Sequence, residues 1–553
     1  MTSPTTPASD FVRPDQRAAL SHHASWLNDA VFYEIYPQSF ADSNGDGIGD
    51  IPGIIDHLDY ISNLGFTALW INPCFSSPFQ DAGYDVDDFM KVAPRYGTND
   101  DLVRLFDEAH RRNIKVLLDL VPGHTSLNHP WFKASQNPDP AARGEFSERY
   151  IWTGSAFENG DGMPFISGTT QRDGAYIVNF FAFQPALNYG YRNPSKPWQK
   201  DINDAAPTAT REAMRDVMRF WLSKGADGFR VDMADSLVKN DDNEKSQTVE
   251  SWRRMLAPIK SEFPEAAFVS EWSRPWQSLK AGFDMDFYLD WGWVPNGYNI
   301  LVRRAADQLD HNNDLSYFNA DSGRSPLEFL ADYQPQYENT KDLGFFSFIT
   351  CNHDTPRLAP RLSERERRVA LAFLLLMPGV PFVYYGDEIG MNFRKLVSKE
   401  GGFARTGSRT PMQWDRTDNL GFSSASADKL YLPVDPSEDA PTVAEQVNDE
   451  DSLLSYVKQI IFLRHSYSAL KAASDTQIVF AQEGYRSLAV LREDGTQRML
   501  LVVNPGRDTE QFELQGVELG DMSHVTALVG SGICDEESSS VRISGQSALL
   551  ISF

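Results

Sequence analysis

Asp227-Gly228-Phe229-Arg230-Val231-Asp232 is a run of strand length in which charged and apolar residues alternate. In an extended chain successive side chains point to opposite sides, so Arg230 and Asp232 share one side and Phe229 and Val231 the other. Seven further short runs accompany it: VFYEIYP from Val31, FTALWIN from Phe66, IKVLLDLV from Ile114, AAFVSEW from Ala266, FDMDFYL from Phe283, FFSFITCNHD from Phe345 and VPFVYYG from Val380. β-Branched and aromatic residues dominate them, as strands require. The segments between carry helical periodicity, as in DDLVRLFDEAHRRN from Asp100 and TREAMRDVMRFWLSKG from Thr210, where the trailing Gly225 suits a helix end. Eight strand–helix units predict an α/β fold, a parallel (β/α)8 (TIM) barrel, whose chemistry sits at the C-terminal ends of the strands. The charged side of the quoted strand therefore faces the barrel interior.

The 553 residues exceed one barrel, and at about 100–200 residues per domain they correspond to about three domains. The stretch 122–200, rich in Gly, Pro, Asn and aromatics, is too long for a structureless loop and reads as a subdomain inserted after the third strand, over the barrel mouth. From 470 to 553 the pattern changes to alternating strands with turn signals, Asp494-Gly495 marking a hairpin, and predicts an antiparallel β-sandwich. Residues 1–121 and 201–469 are left for the barrel. The apolar run Val369 to Tyr385 nears membrane-spanning length but is broken by Pro378, Gly379 and Pro381, which favours a buried helix followed by a buried strand.

Hydrophobic residues make up 41% and charged residues 23%, which excludes wholesale disorder. With 51 basic against 77 acidic residues the net charge is −26, so phosphate backbones and anionic membranes are repelled. Three cysteines without metal-ligand spacing and a first 30 residues lacking an apolar export stretch predict a cytoplasmic protein. Oligomeric state is open.

Chemistry is sought at the strand ends. An aspartate fixed beside a guanidinium has its ionised form favoured, as a carboxylate nucleophile needs, although Asp232 and Arg230 alone read equally well as a structural ion pair. Glu271 closes the fifth run before Trp272, and a partly apolar setting there would raise its pKa, as suits a general acid. Asp354 follows His353 at the end of the seventh. Three carboxylates on one rim would repel one another without a function to hold them there.

The ordered blocks DLVPGH (Asp119 to His124), GFRVD (Gly228 to Asp232), SEW (Ser270 to Trp272) and NHD (Asn352 to Asp354) resemble glycoside hydrolase family 13, the α-amylase superfamily, from about residue 30 to the end. The resemblance implies a retaining reaction in which Asp232 is the nucleophile, Glu271 the acid and base, and Asp354 the transition-state stabiliser. It implies that Arg230 holds Asp232 ionised and that His124 and His353 bind hydroxyls of the reacting sugar. Gly123 stands where the family has asparagine. Asp81-Ala82-Gly83-Tyr84 and Arg409 of RTPMQW are similar to blocks of exo-acting α-glucosidases and oligo-1,6-glucosidases, which implies that Asp81 and Arg409 close the pocket and that Tyr84 stacks on the terminal glucose. Gln184-Pro185-Ala186-Leu187-Asn188 departs from the group's QPDLN block at Ala186, and Met233 follows the nucleophile where relatives carry Val, Ala or Thr, so linkage stays open. The substrate implied is a short malto- or isomalto-oligosaccharide. Transfer to a sugar acceptor is the alternative, although no RLDRD signature is present and TPRLAPRL after Asp354 is unlike trehalose synthase. A catalytically inactive binding or transporter-associated relative is the remote third reading, against which all three carboxylates stand.

In Asp42-Ser43-Asn44-Gly45-Asp46-Gly47-Ile48-Gly49-Asp50 the oxygens at positions one, three, five and seven copy the first half of an EF-hand, but Gly53 at position twelve excludes a true one. An Asx-rich turn is the competing reading. Relatives hold calcium or magnesium on this loop, which implies a structural ion on Asp42, Asn44, Asp46, Ile48 and Asp50.

Overall fold

The computed structural model describes residues 23–289, 297–302, 315–401, 405–519, 523–535 and 537–553. Residues 1–22, on which most of the reading of the N-terminus rests, lie outside them. Each of the eight quoted runs contains a strand: β1 Phe32–Ile35, β2 Ala68–Ile71, β3 Lys115–Leu120, β4 Gly228–Val231, β5 Ala267–Ser270, β6 Met285–Phe287, β7 Phe345–Ser347 and β8 Phe382–Tyr384. They pair in parallel in chain order from β1 to β7, and β8 returns to pair with β1 through Phe32 and Phe382. Between β7 and β8 the circle closes through a parallel bridge of Ile349 with Phe382 and three backbone bonds, Val380 N–H to Phe346 O at 3.0 Å, Phe382 N–H to Phe348 O at 2.9 Å and Thr350 N–H to Phe382 O at 3.1 Å. Nearly every strand residue is buried, because helices cover the outside and side chains fill the inside, which is why the runs are continuously apolar rather than alternating.

The outer helices follow their sequence signals. Asn99–His110 starts on a reciprocal capping box between Thr98 and Asp101 and buries Leu102, Leu105, Phe106 and Ala109 at helical spacing. Ala205–Leu222 turns Met214, Val217, Met218 and Trp221 inward. The long apolar run becomes helix Glu364–Leu376 followed by β8. Among the described residues no helix is long and apolar enough to cross a membrane. Gly228 opens β4 at φ +148°, where a β-carbon would lie 1.8 Å from the Ala267 carbonyl oxygen, so only glycine lets the strand bearing Arg230 and Asp232 approach β5.

After β3 the chain forms helix Pro130–Ser135 and a two-stranded ladder of Phe165–Ile166 with Tyr176–Ile177. Ile151, Ile177, Ala186 and Tyr191 give this segment a small core. It is anchored to the end of β3 by a bridge between His124 and Ala186 and by the Leu187 N–H on Gly123 O at 3.0 Å. At the C-terminus, β9 Asp475–Phe480, β10 Leu488–Glu493, β11 Arg498–Asn504, β16 Ser547–Ser552 and β13 His524–Val529 form one antiparallel sheet in that order. A second sheet joins β12 Glu510–Glu513, β15 Ser540–Ile543 and β14 Gly532–Asp535, and Phe512, Val541 and Ile543 share a core with Leu500, Val502 and Leu549. The predicted hairpin links β10 and β11, with Gly495 at φ +84°.

Candidate active site

Arg230 enters the barrel from β4, is fully buried, and gathers the carboxylates. Its Nη1 meets Asp119 Oδ1 at 2.9 Å and Asp232 Oδ1 at 3.2 Å, and its Nη2 meets Glu271 Oε2 at 2.6 Å. The residue after the nucleophile position, Met233, takes left-handed φ and ψ of 41° and 45°, which turns its N–H onto Glu271 Oε2 at 3.0 Å. Asp232 and Glu271 are thus fixed on one cation and one turn. Burial, with the Glu271 carboxylate beside it, pushes Asp232 well above the usual carboxylate range, and Arg230 works against this. Arg230 was expected to hold Asp232 ionised; burial outweighs it.

Asp354, at the end of the loop after β7, is in the opposite condition. Its Oδ1 receives Arg405 Nη1 at 2.8 Å and Arg409 Nη2 at 2.6 Å, and His353 Nε2 lies 3.3 Å from Oδ2. Burial would raise its pKa, but the Arg405, His353 and Arg409 charges hold it well below the ordinary value. His353 sits between Asp354 and Glu34, whose Oε1 is 2.9 Å from Nδ1. Burial alone would lower its pKa; the two carboxylates raise it instead.

Asp81 is closed off by a different arginine from the one predicted. Its carboxylate takes an ion pair from Arg405 and Gln184 Nε2 at 2.7 Å, while Arg409 turns away to Glu400 at 2.6 Å and the His353 carbonyl at 2.9 Å. The short 3-10 turn Thr406–Ser408 between the two arginines directs both onto Asp354 but only Arg405 across to Asp81. Tyr84 belongs to the same network. Its ring stacks on His353, with centroids 5.3 Å apart and planes 11° apart, and its hydroxyl lies 3.0 Å from Asp119 Oδ2 and 2.6 Å from His353 Nε2. It forms the wall that supports His353 and is itself 4% exposed. His124 is held at both ring nitrogens, Nε2 by Tyr84 O at 3.1 Å and Nδ1 by Asn179 Nδ2 at 3.2 Å, and burial drives its pKa down to about 3, so the ring is neutral.

The structure therefore brings Asp232, Glu271, Asp354, Asp81, Tyr84, His124, Arg230, His353 and Arg409 into one connected network. It adds Arg405, Asp119, Glu34 and Gln184. Asp119 was visible as the opening residue of DLVPGH, and Glu34 as the one charge inside an apolar strand.

In the loop 42–50 the side-chain oxygens accept hydrogen bonds from the loop's own backbone and neighbouring side chains. Asp42 Oδ1 accepts the N–H groups of Asn44 and Gly45 at 3.1 and 2.8 Å, and Oδ2 accepts Gly47 N–H at 2.8 Å and Ser423 Oγ at 2.5 Å. Asn44 and Asp46 accept the N–H groups of Asp46 and Ile48. Asp50 Oδ2 accepts Ser43 and Asn44, and its Oδ1 caps the next helix at Gly53. Among the described residues no group of three or more His, Cys, Asp or Glu is placed to hold a metal. The side-chain oxygens of Asp42, Asn44, Asp46 and Asp50, foreseen as ligands for calcium or magnesium together with the Ile48 carbonyl, form an Asx-turn network here, which Ile48 joins through its N–H.

Comparison with known proteins agrees with this architecture. The model of the α-amylase catalytic domain matches residues 34–473. The chain belongs to this family, glycoside hydrolase family 13. It is 32% identical to the trehalose synthase/amylase TreS of Mycobacterium tuberculosis (strain ATCC 25618 / H37Rv), across 92% of this chain and 86% of that protein. It is 30% identical to the oligo-1,6-glucosidase of Heyndrickxia coagulans, across 88% and 93%. The crystal structure of the α-glucosyl transfer enzyme XgtA superposes with a TM-score of 0.75 at 25% identity, covering 95% of this chain and 99% of that one. Trehalose synthases are thus among its relatives, and the TPRLAPRL stretch does not set the chain apart from them.

Proposed function

We propose that the protein is a retaining, exo-acting α-glucosidase that releases terminal α-linked glucose from short malto- or isomalto-oligosaccharides. The observation that carries this reading is the bridge Asp81–Arg405–Asp354, which closes one end of the pocket beside the carboxylates on Arg230. A chain end fits such a pocket; the middle of a polymer does not. In the first step an Asp232 oxygen bonds to the anomeric carbon as the glycosidic C–O bond breaks, and Glu271 gives its proton to the leaving oxygen. In the second, Glu271 takes a proton from water, the water oxygen bonds to the same carbon, and the Asp232 ester bond breaks. Two inversions return the starting configuration. Asp354, ionised whatever the state of the other two, faces the charge that develops on the sugar ring.

A second reading replaces water with a sugar hydroxyl in the second step, and the identity to trehalose synthase supports it. Both readings share the first step and differ only in the acceptor. Incubation with maltose, isomaltose, nigerose, kojibiose, sucrose and trehalose, followed by NMR, separates them. α-Glucose as the first product supports hydrolysis; a new disaccharide without free glucose supports transfer; no reaction with any of them removes both.

A further inference from the structure

Gly123 and Asn179 are distant in sequence, yet a β-carbon at 123 would lie 2.6 Å from Asn179 Nδ2. Gly123 is not among the positive-φ glycines, so the backbone does not call for glycine there; the space does. What fills that space is the amide of a residue from the inserted segment. Lys239, buried behind it, donates from Nζ to Asn179 Oδ1 at 2.8 Å and to the Ser236 carbonyl at 2.8 Å. An ammonium has only donors, so it settles which end of the amide is oxygen. Nδ2 then turns to His124 Nδ1 at 3.2 Å and Ser236 Oγ at 3.3 Å. His124 Nδ1 is thereby the acceptor, and the ring proton resides on Nε2, where the Tyr84 carbonyl lies at 3.1 Å. The same Nδ2 is 4.0 Å from the sulfur of Met233, whose N–H holds Glu271.

We propose that Asn179 is a positioning residue: admitted by Gly123 and oriented by Lys239, its amide fixes His124 as an Nε2–H donor to the Tyr84 carbonyl. The amide that the family resemblance places at position 123 has here a counterpart in the inserted segment. This deepens the glucosidase reading through His124, but the tautomer can be measured without turnover.

The test uses the full chain labelled with 15N-histidine, His124→Gln identifying its signal, in four forms: the parent, Asn179→Asp, Asn179→Ala and the double variant Gly123→Asn/Asn179→Ala. Asn179→Asp keeps the shape and the Lys239 contact but cannot donate. The expected spectrum shows His124 as Nε2–H in the parent, Nδ1–H or a mixture in both single variants, and Nε2–H again in the double variant. The expected kcat/KM on p-nitrophenyl α-glucoside falls about tenfold in the single variants, the worth of one hydrogen bond, with Tm little changed, and recovers at least partly in the double variant. His124 retaining its Nε2–H form in both single variants overturns the proposal, as does a double variant no better than Asn179→Ala in spectrum. A parent that leaves the glucoside intact overturns the glucosidase reading instead, while the spectra still decide the role of Asn179.

Discussion

Replacing Arg405 with glutamine separates its structural role from its recognition role, and the surroundings give the magnitude of each. The guanidinium bridges two carboxylates, but neither would be left bare: Gln184 remains on Asp81 at 2.7 Å and Arg409 on Asp354 at 2.6 Å. Asp354 keeps a cation but Asp81 keeps only a neutral amide, so part of the cost of an orphaned buried charge, about 3–5 kcal/mol in full, falls on Asp81. What is lost is the net worth of charge-assisted hydrogen bonds, about 1.5–3 kcal/mol each. If one of these is made to a hydroxyl of the terminal glucose in the transition state, kcat/KM falls about 10- to 150-fold. Glutamine keeps one donor nitrogen, with two N–H groups and no charge, and cannot span both acids. The assay is release of p-nitrophenol from its α-glucoside at several concentrations, with Tm measured on the same sample. Arg409→Gln is the control: its side chain also holds Glu400 and the His353 carbonyl, so its loss should lower Tm more than that of Arg405. A glutamine at 405 that leaves kcat/KM unchanged refutes the assignment of Arg405 to the sugar-binding end of the pocket.

Asp232→Asn should abolish turnover of the same glucoside while leaving Tm near the parent value, since the neutral amide relieves repulsion with Glu271; residual activity at parent level would sink the nucleophile assignment. His129, buried at the start of helix Pro130–Ser135 with its pKa driven down to about 3, is neutral in the fold. The unfolded chain takes up that proton below pH 6.5, so stability is present above 6.5 and drains away as pH falls towards 3. At pH 5 this one group accounts for about 2 kcal/mol. His129→Asn, which keeps a capping oxygen, should therefore narrow the gap in denaturation free energy between pH 7 and pH 5, and an unchanged gap would contradict it. Chelator should leave Tm unaltered, because the 42–50 loop satisfies its oxygens with its own N–H groups; a fall reversed by calcium would show the loop reorganising around an ion.

The barrel was legible because parallel strands buried on both faces leave continuous apolar runs, and a charge at the end of such a run stands out. That is how Asp232, Glu271 and Asp354 were found. Arg405 was missed for a geometric reason: two arginines four residues apart outside a helix have no fixed relative direction until the Thr406–Ser408 turn is known. Asn179 was hidden because the inserted segment has little periodic structure, and nothing in its sequence announces that its amide meets Gly123. The 42–50 loop carries a chemical degeneracy. An aspartate oxygen accepts an N–H as readily as it binds a cation, and the same Asx spacing serves both.

The seam between β7 and β8 has a consequence for how the enzyme fails. Asp354 hangs from the β7 side and its two arginines from the β8 side, so the ion pairs that close the pocket straddle the junction where the barrel pairing shrinks to one bridge, Ile349 with Phe382, and three backbone bonds. Loosening there would pull the stabilising carboxylate from its cations while the other seven junctions still held. The pocket therefore doubles as a clasp on its own barrel, and a sugar bridging the two sides would tighten it.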